Sequence, residues 1–190
     1  MCGIVGYVGT KDAQDVLLSG LKRLEYRGYD SAGIVTIYDG KATLLRSSGK
    51  VAELGKLIEK SNVEDKLGIG HTRWATHGAP TESNAHPHRS GDIYVVHYGI
   101  IENYKDIKKS LKNHEFVSDT DTEVLAALIN ELYQRNDVKL EDAVTQALKV
   151  VDGAYGLAVV SVRESQKIVV ARMGSPLLIG VGKDETLVAS

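Results

Sequence analysis

The chain begins MCGIVGYVG, and its single cysteine stands at position 2. A lone cysteine in an apolar run is most often a small buried hydrophobe. Its place in the chain allows a second chemistry. Removal of Met1 would leave a thiol and a free α-amino group on one residue. That amine titrates near ~8, far below a lysine, so it can be neutral and accept a proton. A thiol needs such a base to become the nucleophilic thiolate. Cys2 would then carry nucleophile and base together, as N-terminal-threonine hydrolases do. Its target would be a carbonyl, and an amide carbonyl requires donors placed where the oxyanion forms.

Other groups read less sharply. Arg27 and Asp30, in YRGYDS, suit either an ion pair or the wall of the nucleophile's pocket. In the second role Arg27 puts positive charge near the thiolate. His86 and His88, in HPH, have the close spacing of zinc ligands, yet no cysteine other than Cys2 and no carboxylate cluster accompanies them. No metal is expected. Gly180-Val181-Gly182 lacks the third glycine and the following helix of a dinucleotide site. No cofactor is expected.

Strands and helices must carry these groups. Cys2 to Val8 reads as a buried strand, and Asp12 to Tyr26 as a helix with Asp12 as its cap. Asp39-Gly40 between two β-type runs signals a hairpin. Residues 73–91 read as one long irregular stretch, the kind of loop that is usually functional. Ile93 to His97 reads as a strand. A helix opens at DTEV, where Thr120 or Asp121 can cap. Strands dominate from 156 onward. Strands in hairpin groups, with helices between the groups, argue for antiparallel sheets covered by helices, an α+β layering.

At 190 residues the chain fits one domain, and its 43% hydrophobic content supports a real core. A net charge of -2 offers no basic excess for nucleic acid. No apolar run approaches the roughly 20 residues of a membrane span. One cysteine and no leader pattern point to a cytoplasmic protein.

Four motifs lie in order along the chain: CGIVGYVG, LEYRGYDSAGI at 24–34, GHTRWATHGAPTESNAHPH at 70–88 and SDTDTEV at 118–124. Together they resemble the glutaminase domains of the class-II, N-terminal-nucleophile amidotransferases. Among these, YRGYDSAGI with HTRWATHG is most similar to the glutamine–fructose-6-phosphate aminotransferases (glucosamine-6-phosphate synthases) of hexosamine biosynthesis.

The resemblance implies a four-layer αββα sandwich over residues 1–190. It implies Cys2 as nucleophile, its own α-amine as base, and a cysteinyl thioester on the way from glutamine to glutamate and ammonia. Arg73 would hold the substrate's α-carboxylate, Asp121 its α-ammonium. Thr76 and His77 would contact it, Trp74 would cover it, and the loop from Arg73 onward would close as a lid. Fructose 6-phosphate would be met only by sugar-isomerase domains absent from this chain, through which the whole enzyme would form a homodimer.

One position departs from the pattern. The family reads His-Asn-Gly at 97–99, where the Asn amide and the Gly N–H hold the oxyanion. Here the residues are His97, Tyr98 and Gly99. A tyrosine hydroxyl lies several ångströms further out than an Asn amide and cannot simply replace it. Impaired turnover, leaving a glutamine-binding domain, is the alternative reading, as is a glutaminase serving another class-II amidotransferase.

Overall fold

The computed structural model describes residues 2–61, 63–74, 78–135 and 138–190. Met1, Thr76 and His77, which carry three of the expectations above, lie outside them.

Strand β1 (Gly3–Gly9) runs into helix α1 (Ala13–Leu24). Asp12 starts that helix, its carboxylate accepting from the Gln14 N–H at 2.7 Å. Asp15 in the first turn and Lys22 and Arg23 in the last suit the helix dipole. Ala13, Leu17 and Leu21, four apart, form the buried stripe. The Asp-Gly hairpin joins β2 (Ser31–Tyr38) to β3 (Lys41–Ser48), with Asp39 and Gly40 both at positive φ. Helix α2 (Val51–Ile58) and β4 (Leu67–Arg73) follow, then β5 (His88–Ser90) and β6 (Ile93–Ile101). Helices α3 (Tyr104–Ser110), α4 (Asp121–Tyr133) and α5 (Leu140–Leu148) precede β7 (Gly153–Ser161), β8 (Val169–Met173), β9 (Leu178–Val181) and β10 (Glu185–Ala189).

These strands form two sheets in which every ladder is antiparallel. One has the order β3-β2-β4-β1-β10-β9, the other β5-β6-β7-β8. The layering follows from which side of each strand is apolar. Ile4, Val35, Ile37, Leu67 and Ile69 of the first sheet meet Tyr94, Val96, Ala158 and Val160 of the second. On the outer face of the first sheet, Val5, Tyr7 and Ile34 pack under Leu17, Leu21 and Leu54 of α1 and α2. On the outer face of the second, Ile93, Val95, Leu157 and Val159 pack under α4 and α5. The result is the four-layer αββα sandwich. Neighbouring residues of one strand serve different cores because side chains alternate across a sheet.

Two expectations about boundaries change. Residues 73–91 are not one irregular loop: His88–Ser90 pair with β6 as a short edge strand, and Asn84, Ala85, His86 and His88 are buried. Nor does β6 stop at His97. It pairs with β7 as far as Ile101↔Gly153, because Gly99 lets it pass a tight spot. At Gly99 φ is +139°, and a Cβ would stand 1.9 Å from the Ala154 carbonyl oxygen. Gly99→Ala is therefore expected to cost about 3 kcal/mol or more. Urea unfolding of the two proteins measures this, and equal midpoints would contradict it. Among the described residues no helix is long and apolar enough to cross a membrane.

Candidate active site

The site lies at one end of the sandwich, where β1, β4, β6 and the start of α4 converge. The register Gly3↔Thr72 leaves Cys2 one residue beyond the ladder, beside the end of β4. There the Trp74 N–H points at Sγ, 3.4 Å away. Burial raises the thiol's pKa. The Trp74 N–H and the charge of Arg73 work the other way, and Asp30 adds to the rise. The resting sulfur is thus a protonated thiol, and activating it requires a base.

A cleft faces that sulfur. Cys2, Arg73, Trp74, His86, His97, Gly99, Thr120, Asp121 and Thr122 line it. It brings together five residues expected from the sequence: Cys2, Arg73, Trp74, Gly99 and Asp121. The Arg73 side chain is buried, with its guanidinium 4.0 Å from Asp30 and donating to the carbonyls of Gly78 (3.2 Å) and Ala79 (3.1 Å). Trp74 is half exposed, its ring edge-on to Tyr29 with centroids 5.7 Å apart.

Asp121 is buried in the first turn of α4. It is not the cap. Thr120 is, its hydroxyl accepting from the Glu123 N–H at 3.3 Å. Relieved of capping, Asp121 accepts from the Ile101 N–H at 2.9 Å through Oδ2. Glu123 accepts from the N–H groups of Val117 and Ser118 and from the Ser118 hydroxyl. That anchors the turn leading into α4.

Two further expected residues, Arg27 and Tyr98, are not among those that line the cleft. The Arg27 guanidinium donates to the Ser190 carbonyl at 2.6 Å and stands 5.8 Å over the Tyr98 ring. Arg73 and Asp30 supply the side-chain charge that bears on Cys2. Tyr98 is half-buried and packs against the core between the sheets, on the side of β6 that Tyr94 and Val96 share.

Four imidazoles fill the end of the sandwich beneath the cleft, an arrangement not anticipated from the sequence. His71 stacks on His86 with centroids 4.2 Å apart, and His86 meets His88 edge-on at 4.7 Å. His97 completes the group from β6. All four are buried. Gly33 admits this packing, because a Cβ there would lie 2.2 Å from the His86 carbonyl oxygen. The pair His86 and His88 was visible as HPH, but the strands that bring His71 and His97 to it were not. Burial pushes His71 and His88 down to about 3, and lowers His86 and His97 as well. Among the described residues no group of His, Cys, Asp and Glu could hold a metal ion. Residues Asn84 to His88 are thus packed into the floor of the site, within the stretch that the resemblance assigned to a covering lid.

A two-sheet sandwich with helices on both outer faces, and a cysteine leading a central strand to a cleft, is the layered fold of the N-terminal-nucleophile amidotransferases. Comparison with known proteins agrees. The chain belongs to the glutamine amidotransferase domain family, which it matches over residues 36–190. Along its whole length it is 52% identical to a glutamine–fructose-6-phosphate aminotransferase [isomerizing] of Chlorobaculum tepidum and 50% identical to one of Pyrococcus horikoshii. It covers 32% of each of those proteins, about a third of their length. Its fold superposes on the glutamine phosphoribosylpyrophosphate amidotransferase of B. subtilis with a TM-score of 0.85 at 31% identity, covering 99% of this chain and 41% of that one.

Proposed function

We propose that this chain carries out the glutamine half-reaction of a glutamine–fructose-6-phosphate aminotransferase. The observation that carries the reading is the placement of the Cys2 thiol on a cleft that also presents Arg73 and Asp121. An amino-acid substrate has two charged ends, and a planar guanidinium and a carboxylate recognise both. In this reading Arg73 binds the α-carboxylate, Asp121 the α-ammonium, and the side-chain amide reaches Cys2. Thr76, His77 and Trp74 close around it.

With Met1 removed, the α-amine of Cys2 takes the thiol proton as sulfur attacks the amide carbon. The Gly99 N–H meets the developing oxyanion. The protonated amine then gives its proton to the departing nitrogen, which leaves as ammonia. Water hydrolyses the remaining thioester, releasing glutamate and restoring the thiol. Ammonia would pass to fructose 6-phosphate bound by the portion of the relatives that this chain does not match, and that portion would also form the homodimer.

A second reading, in which the domain binds glutamine but turns it over poorly, is favoured by Tyr98. Its ring packs into the inter-sheet core beneath Arg27.

Diazo-oxo-norleucine, an electrophile shaped like glutamine, tests the main reading. Intact-mass measurement should show one adduct, lost in Cys2→Ala and prevented by excess glutamine. No adduct, or an adduct that glutamine does not block, would overturn it.

A further inference from the structure

Thr122 sits where three polar groups converge. Its Oγ1 lies 2.8 Å from His86 Nε2, 3.1 Å from His97 Nδ1 and 3.4 Å from Asp121 Oδ1. All four residues are buried. A hydroxyl donates once and accepts twice, whereas a carboxylate only accepts. One arrangement satisfies all three contacts: Thr122 donates to Asp121, and both imidazoles donate to Thr122. It makes His86 the Nε2–H tautomer and His97 the Nδ1–H tautomer. The nitrogens left over, His86 Nδ1 and His97 Nε2, are the ones without a hydrogen-bond partner among the described residues. His86 Nδ1 is then a bare lone pair, a milder burial than an orphaned N–H.

We infer that Thr122 is a positioning residue for substrate binding, its hydroxyl holding the Oδ1 edge of Asp121 in the cleft while the Ile101 N–H holds the Oδ2 edge. The inference rests on the reading that Asp121 takes the substrate's α-ammonium. Two donors entering the Thr122 oxygen polarise its own O–H and strengthen the bond it gives. The hydroxyl also keeps Asp121 and His97 apart. Their nearest atoms, Oδ1 and Nδ1, are 3.9 Å from each other. Without the hydroxyl, the His97 N–H loses its acceptor and the carboxylate is the nearest replacement. A carboxylate turned toward His97 is turned away from the substrate.

Calorimetric binding of glutamine, and of the analogue lacking only its α-amino group, separates this role from a structural one. Thr122→Val should weaken glutamine about tenfold, the scale of one hydrogen bond to a charged group, and leave the des-amino analogue nearly unchanged. Thr122→Ser, which keeps the hydroxyl, should restore glutamine binding. Equal weakening of both ligands by Thr122→Val would overturn the inference and make the residue merely structural. If Asp121→Asn weakens glutamine but Thr122→Val does not, the inference fails while the reading of Asp121 stands. If Asp121→Asn leaves glutamine unaffected, or the unsubstituted chain does not bind glutamine, both fail. Should Thr122→Val not fold, nitrogen NMR of the unsubstituted chain decides. It should show His86 as Nε2–H and His97 as Nδ1–H, and either opposite tautomer would overturn the inference.

Discussion

Tyr98→Asn is expected to raise the rate of glutamate release by about 10²–10³-fold, the usual worth of one oxyanion donor. The expectation combines the resemblance with the placement of this side chain. Gly99 lines the cleft, so its neighbour on β6 is within reach of the same developing charge. The native ring instead runs into the packing between the sheets, with Arg27 over its face. An Asn side chain is shorter and carries its N–H₂ close to the backbone, where the oxyanion would form. Tyr98→Ala separates the two possible causes of a gain. It clears the ring without adding a donor, so it should leave the rate low. Should Ala activate as well as Asn, the ring would be an obstruction and not a missing donor. An unchanged rate in Tyr98→Asn would mean that another group already serves the oxyanion. Removing the ring also empties part of the inter-sheet core, so a lower unfolding midpoint should accompany the faster turnover.

The site was legible in the sequence only where one residue's type and position carried chemistry by themselves. Cys2 qualifies in its placement: the one residue singled out for a thiol near the chain start does line the cleft, one position ahead of the β1 ladder. Helix starts qualify too: DTEV marked the beginning of α4 to the residue, although the cap proved to be Thr120 and not Asp121. The long-range consequences were not legible. HPH looked like a loop motif because periodicity says nothing about a segment that enters the interior beside Gly33. Thr122 was not singled out in the sequence at all. Only the crossing of β6 under α4 reveals that its hydroxyl meets two histidines from distant parts of the chain. Arg27, inside the YRGYDS motif, was read as support for the thiol; the contacts its guanidinium makes, with the Ser190 carbonyl and the Tyr98 ring, come from parts of the chain that the motif does not point to.

The buried histidines also set how the fold should respond to acid, and the expected effect is large. His71 and His88 hold no proton in the folded state until about pH 3, chiefly because burial disfavours the cation. In the unfolded chain the same side chains bind protons from about pH 6.5 downward. Between those limits the unfolded state carries more protons than the folded one, so stability must fall as pH falls. Each such group contributes a slope approaching ~1.4 kcal/mol per pH unit, so the two together should remove about 4–5 kcal/mol between pH 6.5 and 4.5. That is a large part of the ~5–15 kcal/mol holding a typical domain. His86 and His97 act in the same direction, with Asp121 offsetting part of the effect at His97. The charges facing the cluster do not reverse the sign. Arg73 and Arg46 disfavour protonation of His88, and Glu123 opposes them without overcoming burial. Glu123, whose own pKa is lowered, adds to the loss only below its unfolded value near 4.5. The histidine effect therefore has a window of its own, above the range where carboxylates titrate. Urea denaturation at half-unit steps from pH 7 to 4.5 should show the midpoint dropping steadily. His71→Gln, although less stable at pH 7, should flatten the slope by roughly the share of one group. A midpoint that stays level down to pH 4.5 would mean that these imidazoles are solvated in the folded chain, and the packed floor beneath Cys2 would have to be abandoned with them.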